Sequence, residues 1–151
     1  MQNRRETLKQ SMALAALLGG TGLFPQYAFA FNRAAFDAKN VADAVKAYGG
    51  AAPVESKDVT LTAPDIAENG AVVPMSVAST LPGLKHLLVL VEKNPNSLVA
   101  KFDVSDAVEP SFATRAKMGQ TSDVYAVAIT KDNKAFFTKK EVKVTLGGCG
   151  G

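Results

Sequence analysis

Cysteine and histidine occur once each in the 151 residues, and tryptophan not at all. A single cysteine excludes an internal disulfide. Cys149 with His86 falls far short of the ligand set of a zinc or copper site. No apolar run reaches the roughly 20 residues that a transmembrane helix needs; the stretch from Met12 to Gly20 is short and rich in Ala and Gly. Charge of one sign is also scarce. The formal net charge is +3, and setting aside residues 1–30, with Arg4, Arg5, Lys9 and Glu6, reduces 17 basic and 14 acidic residues to 14 and 13. That leaves a net charge near +1, which gives no support to nucleic-acid binding. There is no internal repeat, and no low-complexity stretch apart from the last five residues.

Residues 1–30 read as a targeting segment. Arg4, Arg5 and Lys9 make a positive start, the apolar run follows, and Ala28-Phe29-Ala30 offers a small-x-small cleavage site. The pattern predicts a secretory signal removed near Phe31. Asn3-Arg4-Arg5-Glu6-Thr7-Leu8-Lys9 resembles the twin-arginine export motif, departing from it at Asn3 and Thr7. That resemblance implies a prokaryotic host and transport of the chain already folded; a general secretion signal is the alternative.

The remainder, residues 31–146, is long enough for one core. Ala38, Val41, Ala42, Val45 and Tyr48 recur at helical spacing, which predicts a short helix over 32–48. Asn40 followed by Asp43 resembles a cap from which its regular part starts. Gly49-Gly50 ends it, and Pro53 prevents its return. Seven strands are then predicted: Val59–Ala63, Val72–Ser79, Leu87–Val91, Leu98–Val104, Phe112–Met118, Val124–Thr130 and Ala135–Leu146. Pro74 marks an edge position or a bulge in the second. The run Leu87–Val91 reads as a central strand buried on both faces, and Leu98, Ala100, Phe102 and Val104 fall on one side of the next. The whole predicts an all-β fold, an immunoglobulin-like antiparallel sandwich with a short N-terminal helix and a flexible C-terminal arm.

That arm is Gly147-Gly148-Cys149-Gly150-Gly151. Glycine adds no side chain and little steric restriction, so the pattern predicts a slim, mobile segment with the thiol near its tip. Five extended residues span about 17 Å and put Cys149 about 10 Å beyond the last strand. A catalytic thiol wants a base and an orienting group held beside it, which such an arm does not hold. His86 opens the apolar strand and reads as a packing residue. Lys139, Lys140 and Lys143 read as a solvated strand face, and no helix N-terminus lies near to lower the thiol pKa. Three readings remain open on the residues: a carrier whose reactivity comes from partners, a thiol enzyme or redox sensor, and an interaction module forming an intermolecular disulfide. Glu68-Asn69-Gly70 reads as a turn or a partner contact. Phe136-Phe137 put one ring on each face of the last strand; with one face in the core, the other ring is left exposed or for a subunit interface.

The segment Val142-Lys143-Val144-Thr145-Leu146 and the GGCGG terminus together resemble the SoxY family of sulfur-carrier subunits in bacterial sulfur oxidation. Pro64-Asp65-Ile66-Ala67-Glu68-Asn69-Gly70, Asn94-Pro95-Asn96 and Lys117-Met118-Gly119-Gln120-Thr121-Ser122 extend the resemblance over most of the chain. The resemblance implies a periplasmic protein, exported by the twin-arginine route and free of the membrane after cleavage. It also implies a heterodimer with a SoxZ subunit, and intermediates of thiosulfate oxidation held covalently on Cys149. The haem enzyme SoxAX, the hydrolase SoxB and, in some hosts, a sulfur dehydrogenase would act on that adduct in transient complexes. The chain itself would be no enzyme and hold no cofactor or metal. Gly147, Gly148, Gly150 and Gly151 would supply slimness and reach.

Overall fold

The computed structural model describes residues 32–145. The expected signal peptide, residues 1–30, and the arm, residues 147–151, lie outside the described residues. The expected single helix is two: α1 (Arg33–Phe36) and α2 (Val41–Ala47). Asn32 caps the first by accepting the Ala35 N–H, and Asn40 caps the second by accepting the Asp43 N–H at 2.8 Å. The break between them is held from outside, because the Ala38 carbonyl accepts the Ser97 N–H at 3.1 Å. The end of α2 is closed by two bonds, Gly49 N–H to Lys46 O at 2.9 Å and Gly50 N–H to Val45 O at 3.0 Å. Gly49 has φ +77°, the left-handed conformation this ending requires. Gly50 is needed for room: a Cβ there would lie 2.6 Å from Val45 Cγ1.

Nine strands follow: β1 (Val54–Glu55), β2 (Val59–Thr62), β3 (Ile66–Ala67), β4 (Val73–Ser79), β5 (Leu84–Val91), β6 (Leu98–Asp103), β7 (Ser111–Ala116), β8 (Ser122–Thr130) and β9 (Ala135–Val144). The large sheet runs β1-β9-β8-β5-β6, and β3 also pairs with β9; the small sheet runs β2-β4-β7. All seven expected strands are present. The two extra ones, β1 and β3, are two residues each and lie parallel to β9, so the fold is not purely antiparallel. They occupy opposite ends of the same β9 edge, Val54 beside Phe136 and Ile66 beside Lys143.

The two sheets face each other across one core, giving an immunoglobulin-like β-sandwich. Leu87, Val89, Val91, Val124, Ala126 and Ala128 of the large sheet meet Val59, Val73, Met75 and Val77 of the small one. The opposite face of the large sheet, with Leu88, Leu90, Val127 and Ile129, is covered by Ala35, Ala44 and Val45 of the helices. Residues 87–91 are therefore all fully buried, as the continuous apolar run predicts. Each such Leu or Val contributes roughly 1.5–3 kcal/mol by leaving water.

Two details differ from the sequence pattern. The strand carrying Pro74 is the middle one of its sheet, not an edge. Its partner β2 ends opposite Ser76, however, so Pro74 has a neighbour only in β7 and no second ladder bond is lost. In β6 a register shift opposite Val89/Leu90 breaks the alternation. Leu98 joins the helix-side core while Ala100, Phe102 and Val104 pack between the sheets.

Candidate functional site

Cys149 and its four glycines lie outside the described residues, so the geometry that bears on them is that of the strand from which they continue. The end of β9 is gripped on both edges by consecutive backbone groups. Lys143 N–H donates to Asp65 O at 3.0 Å and Thr145 N–H to Ala67 O at 3.1 Å, both on the β3 side. Between them, Val144 N–H points the other way and donates to Thr121 Oγ1 at 3.0 Å. The Thr145 hydroxyl adds a bond to Glu68 O at 3.1 Å. Pairing of β8 with β9 ends at Ser122 beside Val142, so the Thr121 hydroxyl extends that edge past the last strand pair.

The loop that supplies β3 is itself tied down. Lys140 Nζ reaches Asp65 Oδ1 at 2.8 Å and the Ala63 carbonyl at 2.6 Å. The hydrogen bond from Lys140 holds the Asp65 carboxyl below the usual carboxylate range. Asn69 Oδ1 accepts the Ala71 N–H at 2.8 Å, so Glu68–Gly70 is a side-chain-closed turn. Gly70 O then accepts the Met118 N–H at 2.7 Å, joining this loop to the one that carries Thr121.

Beside Thr121 the loops 93–95 and 117–120 enclose a hollow of about 390 Å³ lined by Lys93, Asn94, Pro95, Lys117, Gly119 and Gln120. Asn94 Nδ2 donates to the Lys117 carbonyl at 2.8 Å, joining the two loops. Lys93, Lys117 and Lys143 are exposed and have no ion-pair partner among the described residues.

The lysines read as a solvated face are divided. Lys139 pairs with Asp123 at 2.7 Å, a hydrogen bond that raises its pKa; Lys140 ties the β3 loop, and Lys143 adds a weaker electrostatic pull on Asp65 without a close ion pair among the described residues. Phe136 packs against the inter-sheet core and Phe137 against the helix-side core, 5.7 Å from the Tyr125 ring. Both rings are half-buried, one on each face, so neither is the fully exposed ring that the alternation allowed.

His86 lies at the far end of the large sheet. It pairs in register with Ile129, which pairs with Ala135, nine residues from Val144 along β9. At about 3.3 Å per residue that is roughly 30 Å, beyond the reach predicted for the arm. Its Nδ1 contacts Asp103 Oδ1 at 2.7 Å, and its ring centroid is 5.6 Å from that of Tyr48. Burial lowers the His86 pKa below its ordinary value, against the opposing pull of Asp103. Among the described residues no three His, Cys, Asp or Glu are grouped to hold a metal ion. Nor is any helix among them long and apolar enough to cross a membrane.

The arrangement is chemically quiet: a rigid strand end with clamped backbone, from which the sequence continues into glycine and one thiol. Sequence reading did not find the clamp. Ile66-Ala67 is too short to register as a strand, and no pattern marks Thr121 as a backbone acceptor.

Residues 44–149 match the family model described as sulfur oxidation protein SoxY. The solved structure of the sulfur carrier protein SoxY from Chlorobium limicola f thiosulfatophilum is 36% identical, with TM-score 0.62, and the match covers 69% of this chain and 94% of that one. A superoxide reductase (neelaredoxin) variant from Ignicoccus hospitalis is 16% identical, with TM-score 0.52, over 60% of this chain and 82% of that one. At that identity the likeness is one of fold alone. No curated protein matches the chain.

Proposed function

The chain belongs to the SoxY family of sulfur oxidation proteins, and from that premise we propose that it carries thiosulfate-derived sulfur covalently on Cys149. The carrying observation is the junction at the end of β9. A backbone fixed through Thr145 is followed, after Leu146, by a segment of four glycines around the only cysteine. The sandwich is the handle and the glycine segment the arm. Glycine leaves the thiol and its cargo as the bulk of the tip, so enzymes of different shape can admit the same end.

The chemistry is supplied by partners. Thiosulfate joins the thiol with loss of one proton and two electrons: Cys–SH and S₂O₃²⁻ give Cys–S–S–SO₃⁻. The electrons pass to an oxidising haem enzyme of the SoxAX type. Water then cleaves the S–SO₃ bond on a SoxB-type hydrolase, releasing sulfate and two protons and leaving the persulfide anion Cys–S–S⁻. A sulfur dehydrogenase, where the host has one, oxidises the remaining sulfane sulfur. His86 is no candidate base for that chemistry, since it stands at the opposite end of the sheet from the end of β9, engaged with Asp103. A SoxZ-type subunit completes the carrier as a heterodimer. The location is the periplasm, reached by the twin-arginine route with residues 1–30 removed; folded export suits a protein that crosses with its partner.

The test is the intact mass of the processed protein from thiosulfate-grown cells, with and without reductant. Adducts confined to the C-terminal peptide and lost on reduction are expected, and Cys149→Ser should keep the fold and lose every adduct. A free thiol, or only a protein–protein disulfide while thiosulfate is consumed, would overturn carriage in favour of an interaction module.

A further inference from the structure

We propose that Asn69 is a self-modifying site: in the folded protein its carboxamide closes onto the Gly70 nitrogen, loses ammonia, and passes through a cyclic imide to an aspartyl or isoaspartyl residue. The reacting pair occurs once in the chain. Of all its asparagines only Asn69 is followed by glycine, which has no side chain to hinder attack by its nitrogen. Asn94 precedes proline, which has no N–H to give up. The turn supplies the rest. Asn69 Oδ1 accepts the Ala71 N–H at 2.8 Å, which folds the carboxamide back over the Asn69–Gly70 peptide. The same N–H stabilises the charge that gathers on Oδ1 as the nitrogen adds to Cγ. The Gly70 N–H, the attacking group, has no hydrogen-bond partner among the described residues. Asn69 is exposed, so water reaches the amide that leaves.

The step needs no oxidant and no co-reactant but water. The Gly70 nitrogen gives its proton to solvent and bonds to Asn69 Cγ. The Cγ–Nδ2 bond breaks, and Nδ2 takes a proton back and departs as ammonia. Water then opens the imide at either carbonyl. Opening at Cγ leaves an aspartyl residue, and opening at the main-chain carbonyl leaves an isoaspartyl one; each gains a carboxylate that is ionised at neutral pH. The two products differ mechanically. The turn lies between fixed points: Ala67 O and Glu68 O hold the Thr145 N–H and hydroxyl, each at 3.1 Å, and Gly70 O holds the Met118 N–H at 2.7 Å. An aspartyl residue keeps that spacing and still accepts the Ala71 N–H. An isoaspartyl residue puts Cβ into the main chain as an extra atom between the fixed points, so one of them must yield. The root of the arm is thereby loosened by a reaction of its own clamp, in a fraction that grows with the age of the molecule. The modification itself is independent of what the arm carries.

The experiment uses the processed protein from its host, kept folded at mildly alkaline pH and sampled over days. Asn69 is the only asparagine in the tryptic peptide 58–85. That peptide is expected to gain about 1 Da and to become a substrate for isoaspartyl methyltransferase, while the other peptides keep their mass. Asn69→Gln, whose longer side chain does not form the five-membered ring, should stay unlabelled. Hydrogen exchange of the aged protein should show Thr145 or Met118 about two- to twelvefold faster, as loss of one hydrogen bond requires. Asn69→Asp adds the charge without the extra atom and should leave both amides at the native rate. An unchanged peptide 58–85 in folded protein, over a time in which the urea-unfolded chain converts, would show that the turn protects Asn69 and would overturn the proposal. Equal exchange at both amides in the isoaspartyl-bearing fraction would overturn it too. The native protein alone decides the matter if a variant does not fold.

Discussion

The clamp at the end of β9 sets where the arm begins, and Thr121→Val tests that directly. Valine keeps the branched shape and removes the oxygen that accepts the Val144 N–H at 3.0 Å. Val144 is half-buried, so water replaces the lost partner only in part. The net worth of such a bond is about 0.5–1.5 kcal/mol, which converts to an increase of about two- to twelvefold in the local opening constant. The effect should stay local, because β8 and β9 remain paired from Ser122–Val142 to Ile129–Ala135. Amide hydrogen exchange reads this residue by residue. Val144 should exchange about two- to twelvefold faster, Thr145 should follow through its shared root, and Val127 in the core should report unchanged global stability. Unchanged exchange at Val144, or an equal rise at Val127, would refute the idea that Thr121 fixes the root of the arm.

Gly50→Ala should cost about 1–3 kcal/mol in urea unfolding, since the new Cβ would meet Val45 Cγ1 at 2.6 Å and Ile129 Cδ1 at 3.2 Å. An unshifted midpoint would show that α2 can move off the sheet freely. His86 should make stability fall on mild acidification. Its folded pKa is below 6.5, so the unfolded chain takes up the proton first, and stability present above that pH is lost as pH falls through the folded value. Urea midpoints between about pH 7.5 and 5 should show the slope in the native chain and lose it in His86→Gln, which keeps a polar group near Asp103, Lys101 and Lys85. Gly148→Pro fixes one φ near −65° and should slow handover to partner enzymes, with the thiol still fully titratable; an undiminished transfer rate would show that conformational freedom at that position is dispensable.

The sequence was most legible where local and global signals coincide. The Asn40 cap, the Gly49-Gly50 ending and the buried run 87–91 each follow from a few adjacent residues. The β6 register was less legible: period-two alternation groups Leu98 with Ala100, and only the pairing with β5 shows that one extra residue separates them onto different faces. The short strands β1 and β3 carry almost no pattern of their own. Val54 and Ile66 are exposed, and both strands exist because β9 offers them an edge some 77–82 residues later in the chain. The candidate site divides in the same way. The glycine-flanked thiol is visible in one dimension, whereas Thr121, Asp65 and the hollow with Lys93 and Lys117 are brought together by contacts between distant loops.

The strand that leads into the arm also determines how the molecule answers a pull. When a partner grips the tip and withdraws, tension runs along β9. That strand is bonded to β8 from Ala135 to Val142 and, at its two ends, to β1 and β3 on the opposite edge. Hydrogen bonds across an antiparallel pair lie perpendicular to the strands, so a force along the axis shears them together instead of peeling them one by one. The sandwich is therefore built to stay whole under traction from its own C-terminus, and release of a reluctant enzyme is expected to come from the glycine segment slipping out rather than from β9 unravelling.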